Sequence, residues 1–470
     1  MPSVLRGIWI VAFLLAGWVM SMVLGIEPVR ANDLKDQELS DLVRRAYIYS
    51  FPVYEMYRIR HMAVYDQNNP SRIGLNQFGH TRKLADHTSR GVTAPNNDTL
   101  YSSAWLDLFK EPLILSVPDT AGRYYSMAFM DFYTNNFAYV GRRVTGTKAG
   151  DYVVVGPKWN GPFPPGLPVI KSPTNAVWLL GRTLVDSEED LANVHRLQDQ
   201  YKLTPLAVWT KTGLQKQQAQ PKNPPVAPDL KDPWQFFRIV NIGLTENPPP
   251  ADEAPLMAEL AKIGIGPDQT FDQSRFNEEQ RKIILKAIED TAQEMRRGLS
   301  QTGQLREGWN YPPLHLGNYG KDYPLRAVTA LMGLAALEPA EAFYFGAQRD
   351  KQGNPLTGEN RYRLHFNKGQ LPPVEAFWSI SMYEVTPDQR AFFVDNSIHR
   401  YAIGDRTKGL KFNNDGSLDI IMQRYSPGRE LESNWLPTPA GVFRVSFRAY
   451  QPGQAILNGS YVMPGIQRIE

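Results

Sequence analysis

No cysteine occurs in the 470 residues of this chain, and that absence constrains its folding more than any motif does. Disulfides, iron–sulfur clusters, thiolate zinc sites and a cysteine nucleophile are all unavailable. Stability has to come from buried apolar surface. A single hydrophobic core stops growing at roughly 250–300 residues, so a chain this long divides its apolar side chains between at least two. Hydrophobic residues make up 42% and charged residues 21%, ordinary material for folded domains. Lys plus Arg number 51 against 48 Asp plus Glu, a net charge of +3. That near balance creates no field for holding nucleic acid or an anionic membrane surface.

The first residues carry an export pattern. Arg6 precedes the charge-free run Gly7 to Gly25, and Val29-Arg30-Ala31 sets short side chains before the Ala31–Asn32 bond. This is the three-part layout of a secretory signal peptide. Residues 1–31 are expected to be removed, leaving a periplasmic or secreted protein without a membrane segment. An uncleaved anchor is the alternative, because the run is just long enough to span a bilayer. The next most apolar run, Pro324 to Leu337, is too short to span and reads as a buried helix.

Residues 35 to 60 read as a helix, with Leu42, Val43, Ala46 and Tyr47 on one face and Pro52 expected to kink or end it. From Asn97 to Val155 the texture is β: short apolar runs bounded by Pro or Gly. A helix is expected from Ser187. Two proline-rich stretches, Gln220–Pro228 and Asn247–Pro255, read as loops or linkers. Asn277 and Gln280 form a plausible capping box for a helix carrying Ile284, Ile288 and Met295. From Ala342 onward the chain is again β-rich. Asn414-Asp415-Gly416-Ser417 signals a hairpin, and Arg444 to Tyr450 alternates as a half-buried strand does. The pattern predicts two β-containing domains joined through a largely helical middle. One internal likeness stands out: Tyr125-Ser126-Met127-Ala128-Phe129-Met130-Asp131 resembles Trp378-Ser379-Ile380-Ser381-Met382-Tyr383-Glu384. Two related β-modules would explain it.

Most catalytic signatures are missing. Gly-x-Ser-x-Gly, HExxH and the P-loop do not occur. Gly264-Ile265-Gly266 lacks a third glycine, and the calcium-like Asn413-x-Asp415-x-Ser417 has Leu418 where the turn needs glycine. His80 and His87 would lie two helical turns apart, too far to share a metal. No metal site and no cofactor are assigned.

Three polar segments remain. Asn96-Asn97-Asp98-Thr99-Leu100-Tyr101-Ser102 is a turn or a ligand-presenting loop. Ser433-Asn434-Trp435-Leu436-Pro437-Thr438-Pro439 is a stiff segment holding Trp435. Arg448-Ala449-Tyr450 puts Arg448 and Tyr450 on one strand face.

The first of these, with Trp105-Leu106-Asp107-Leu108 and Gly122-Arg123-Tyr124-Tyr125, resembles the N-terminal domain-of-unknown-function family DUF1254. Ala376-Phe377-Trp378-Ser379, Asn396 to Tyr401, Asn414 to Leu418, Asn434 to Pro437 and Arg448 to Tyr450 resemble the C-terminal family DUF1214. The resemblance covers most of residues 40 to 470 and implies an α+β fold. An N-terminal mixed α/β domain (32–186) would precede a helical and proline-rich connection (187–310). A C-terminal antiparallel β-sandwich, jelly-roll-like, would follow (311–470). It implies no activity.

Function is left with three classes: binding or processing of a small polar or glycan-like ligand in an interdomain cleft, a carboxylate- or divalent-cation-dependent hydrolase, and an envelope scaffold. Asp98, Asp131, Glu384 and His399 are the hydrolase candidates. Ligand-binding candidates are Asn97, Asp98, Tyr101, Arg123, Asp131, Trp378, His399, Arg400, Asn434, Trp435 and Arg448. No nucleic-acid partner is expected, and no oligomeric state is specified.

Overall fold

The computed structural model describes residues 34–91, 93–211, 225–229, 231–298, 303–387 and 390–470. The expected signal segment lies outside the described residues, as does residues 220–224 of the first proline-rich stretch.

The N-terminal helix Asp36–Arg60 opens on Asp36 and Glu38 and closes on Arg58 and Arg60, matching the helix dipole at both ends. The helix does not end at Pro52 but continues to Arg60. From Ala46 to Tyr54 every residue is buried. Packing on all sides thus outweighs the roughly 3 kcal/mol that an internal proline costs. Helices Pro233–Glu246, Glu278–Gly298 and Tyr323–Met332 surround it. The expected capping box forms: Gln280 N–H donates to Asn277 Oδ1 at 2.9 Å, and Asn277 N–H to Gln280 Oε1 at 3.1 Å. No helix among the described residues is long and apolar enough to cross a membrane.

Against this helical layer stand two β-sandwiches. In the first, Gly79–His80, Thr99–Asp107, Ala176–Leu184, Tyr125–Met130 and Asn136–Gly141 lie side by side as one antiparallel sheet. The facing sheet orders Val169–Lys171, Gly150–Val155, Leu113–Val117 and Lys202–Pro205. Leu106, Leu115, Met127, Val154 and Leu179 fill the space between the two. In the second sandwich, Trp309–Tyr311, Ala342–Ala347, Phe443–Pro452, Val374–Val385 and Ala402–Gly404 adjoin in that order. Its facing sheet orders Trp435–Pro437, Leu418–Gln423, Arg361–Phe366 and Gln467–Ile469.

The two sandwiches share one wiring diagram. In the large sheets Thr99–Asp107, Ala176–Leu184, Tyr125–Met130 and Asn136–Gly141 adjoin in the same way as Ala342–Ala347, Phe443–Pro452, Val374–Val385 and Ala402–Gly404. In each small sheet one pair is parallel, Gly150–Val155 with Val169–Lys171 and Leu418–Gln423 with Trp435–Pro437; the other pairs are antiparallel. The register agrees residue by residue. Tyr101, Arg182, Ser126 and Gly141 form a row across the first large sheet. Tyr344, Arg448, Ser379 and Gly404 form the same row across the second. Ser126 and Ser379 are the residues that the internal likeness pairs. Both glycines are required by crowding: a Cβ on Gly141 would lie 2.4 Å from the Tyr125 carbonyl, and one on Gly404 2.2 Å from the Trp378 carbonyl.

Three local expectations are revised. Asn414 to Ser417 turns the chain but closes no hairpin, because Leu418–Gln423 pairs with Arg361–Phe366. Phe443–Pro452 alternates in burial only as far as Ser446 and is buried on both faces beyond it, where the other sandwich covers its outer side. Asn247–Pro255 is packed rather than a free linker: Asn247 is fully buried, and residues 251 onward are helical.

Candidate functional site

The two large sheets meet through the faces that carry the matched rows. Asp98, 4% exposed, accepts from Ser379 Oγ at 2.6 Å and from Arg406 Nη2 at 3.1 Å. Asn96 donates to the Tyr450 hydroxyl at 2.7 Å. Arg448 donates to Ser381 Oγ, to the Ala94 carbonyl and to the Tyr383 hydroxyl at 2.8, 3.0 and 2.9 Å. The Tyr383 hydroxyl in turn donates to the Pro95 carbonyl at 2.7 Å. Tyr124, Phe377 and Tyr450 pack between these groups. Asp98 and Arg448 therefore stand at the boundary between the two modules, while the Tyr101 ring lies 5.4 Å under the Arg182 guanidinium and packs against the helical core. The groups around Asp98 and Arg448 are consumed by one another. Asp405 beside them has its pKa pushed up to about 6, chiefly by burial and further by the Asp98 charge, against the pull of Arg406.

The contact is reciprocal. Glu341 stands three residues before Tyr344, as Asp98 stands three before Tyr101, and Arg143 follows Gly141 by two, as Arg406 follows Gly404. Glu341 accepts from Arg143 Nε at 2.6 Å and from the Tyr124 hydroxyl at 2.8 Å. Each module thus lends a carboxylate to the other's arginine. Of the four residues in the two exchanged ion pairs the sequence reading singled out only Asp98 and missed Arg406, Glu341 and Arg143; Ser379 was within its reach through the internal likeness.

The remaining candidates lie elsewhere. Trp378 points away from the boundary and stacks on Phe447 in the second sandwich core, ring centroids 5.4 Å apart. Asn97 donates to the Ala85 carbonyl. Arg123 grips Asp190 with both terminal nitrogens, at 2.5 and 2.8 Å. His399 is exposed, with a left-handed φ of 47°, and sits 3.2 Å from Asp395. Arg400 donates to the carbonyls of Glu432 and Trp435 at 2.6 and 2.8 Å. Asn434 bonds the Lys411 and Asp419 carbonyls, and Trp435 Nε1 the Gln423 carbonyl, all at 2.7–2.8 Å. Glu384 is paired with Arg90 at 2.6 Å. The four carboxylate and histidine candidates each keep separate partners. No group of three His, Asp or Glu positioned for a metal occurs among the described residues.

Asp131 lines an open cavity of about 550 Å³. Its walls come from the turn after Tyr125–Met130, from Pro248-Pro249-Pro250 and from residues 318–326, so three parts of the fold converge there. Asp131 Oδ1 accepts the backbone N–H of Tyr133 and of Asn135, both at 2.9 Å, and shapes that turn. Burial raises the pKa of Asp131, and likewise that of Glu338, which also lines the cavity. Glu253 accepts the hydroxyls of Tyr49 and Tyr323 at 2.5 and 3.1 Å. Arg326 lies among the rings of Tyr49, Tyr133 and Tyr323 at 5.1, 5.5 and 5.0 Å. Asn135, Asn318, Tyr133, Tyr139 and Phe137 add amide and aromatic surface. Sequence reasoning named only Asp131 here; Pro248-Pro249-Pro250, which it treated as a linker, marked another wall.

Fold and site together define a two-module β-sandwich protein with a helical layer and one polar, aromatic-lined cavity at their junction. Residues 75–205 match the family described as Protein of unknown function (DUF1254), and residues 341–454 match Protein of unknown function (DUF1214). The chain carries both domains, in that order. The crystal structure of the VPA0106 protein from Vibrio parahaemolyticus superposes over 92% of this chain and 100% of that one, with 27% identity and a TM-score of 0.70. A crystal structure of an uncharacterized protein from Burkholderia cenocepacia aligns over 92% of this chain and 95% of its own, at 11% identity and TM-score 0.47. No curated protein matches the chain.

Proposed function

We propose that the protein is exported and binds a small polar, glycan-like ligand in the cavity beside Asp131. One observation carries this reading: the cavity joins carboxylates, amides and aromatic faces in a volume of about 550 Å³. That volume lies within the roughly 300–1,000 Å³ usual for ligand pockets, which favour such junctions. Amides and carboxylates suit a ring bearing many hydroxyls, and Tyr133, Tyr139 and Phe137 offer the apolar faces that such rings also present. Export is supported by Arg6, the run Gly7 to Gly25 and Val29-Arg30-Ala31.

Isothermal titration with a panel of neutral and acidic monosaccharides and short oligosaccharides tests the binding. Asn318→Ala should weaken whichever sugar binds, with circular dichroism unchanged. No heat from any member of the panel would end the reading. Protein from the cell envelope should begin at Asn32; recovery of intact Met1 in the membrane fraction would point to the anchor instead.

A further inference from the structure

We propose that the cavity recognises a carboxylate on its ligand, through Arg326, so that the preferred ligand is a sugar acid. This rests on the cavity reading above. Arg326 is 2% exposed and lines the cavity, yet it forms no ion pair among the described residues. Among the described residues its one hydrogen bond is a long one, Nη2 to the Tyr49 carbonyl at 3.5 Å, and its Nε has no partner. The Arg326 charge pulls on the Asp131 carboxyl, but the hydrogen-bonding oxygens of the acids nearby are taken by other donors. Asp131 accepts two backbone N–H groups and the Asn135 amide, and Glu253 accepts two tyrosine hydroxyls. Three tyrosine rings hold the guanidinium in place. A buried guanidinium with donors to spare is costly unless something accepts from it, and its planar fork matches a carboxylate. Lys321 on the same wall is already paired with Asp252 at 2.9 Å, which leaves Arg326 as the cation for that task.

Calorimetric titration of the purified protein with D-glucuronate and D-galacturonate, beside D-glucose and D-galactose, decides it. The acids should bind at least 10-fold more tightly than their neutral parents, the size expected of a charge-assisted hydrogen bond. Arg326→Lys keeps the charge and loses the fork, and should abolish most of that preference. Equal binding of acid and neutral sugars, or a preference untouched in Arg326→Lys, overturns the carboxylate assignment and leaves the cavity reading standing. Binding of none overturns both. The comparison of acid with neutral sugar on the unaltered protein holds whether or not the variant folds.

The boundary between the sandwiches carries a second, independent inference: we infer that it is a homodimer contact folded into one chain, each module docking on a copy of itself. Shared wiring, the matched rows and the exchanged ion pairs Asp98–Arg406 and Glu341–Arg143 are what a self-complementary face used twice produces. The two pairs should then be energetic equivalents. Double-mutant cycles on the full chain, Asp98→Asn with Arg406→Gln and Glu341→Gln with Arg143→Gln, measure this by denaturant unfolding. The amides are isosteric with the acids, and the cycle cancels the stacking that each Arg→Gln removes, Arg406 over Phe377 at 4.3 Å and Arg143 over Tyr139 at 5.2 Å. Both cycles should show coupling of at least 5-fold in the unfolding constant, agreeing within about 2-fold, and Asp98 with Arg143 should show none. Coupling in one pair and not in the other, or in neither, overturns the inference.

Discussion

Asp405→Asn should stabilise the protein at neutral pH and do little at pH 4. Asp405 has a pKa of about 6 in the folded chain against an ordinary value of 3.8. Burial is the main cause, with a smaller push from the Asp98 carboxylate and an opposing pull from Arg406. The sign follows from proton binding. Between these two values the folded state holds a proton that the unfolded state has released, so stability falls as pH rises through that window and is level above it. The full difference corresponds to about 3 kcal/mol at roughly 1.36 kcal/mol per pH unit. The side chain is 32% exposed, so solvent screening reduces the usable part to about 1.5–2 kcal/mol. Asparagine keeps an acceptor for the Trp378 N–H, which now bonds Asp405 Oδ2 at 3.3 Å. Thermal unfolding followed by tryptophan fluorescence, at several pH values from 4 to 8, should show the variant level with the parent near pH 4. It should melt several degrees higher above pH 6, at about 2–4 °C per kcal/mol. In an Asp98→Asn background the gain should shrink, because one source of the shift is gone. Parallel curves for variant and parent across the whole range would refute the reasoning.

Crowded and open glycines should part company. Gly141→Ala and Gly404→Ala each drive a Cβ into a backbone carbonyl, at 2.4 and 2.2 Å, and should cost more than about 2 kcal/mol in urea unfolding. Gly346→Ala meets nothing within 4 Å and should be neutral or stabilising by up to about 1 kcal/mol. Asn247→Ala removes the acceptor of the Ala176 N–H at 2.8 Å in a fully buried place, and should lower stability by about 1–3 kcal/mol by the same measurement. Limited proteolysis should spare the packed Pro248-Pro249-Pro250, since those residues wall the cavity; early cleavage there would count against that packing.

Local order was readable in the residues themselves. Periodicity and turn residues marked the helix Asp36–Arg60, the capping box at Asn277 and the β-texture of both ends, because these depend on neighbours a few positions apart. The likeness of Tyr125–Asp131 to Trp378–Glu384 already held the register of the two modules, since a strand's pattern of faces is written along its own length. Tertiary contact decided the rest. Pro52 stays helical because burial around it outweighs the lost bond, which nothing in the flanking residues reveals. Whether a polar residue is spent or available depends on partners far away in the chain: Asp98 is consumed by Ser379 and Arg406, whereas among the described residues Arg326 keeps its Nε free because Asp131 and Glu253 accept from other donors. Residue type announces what a side chain is able to bond; only packing of the two sandwiches and the helical layer determines which bonds remain to be made.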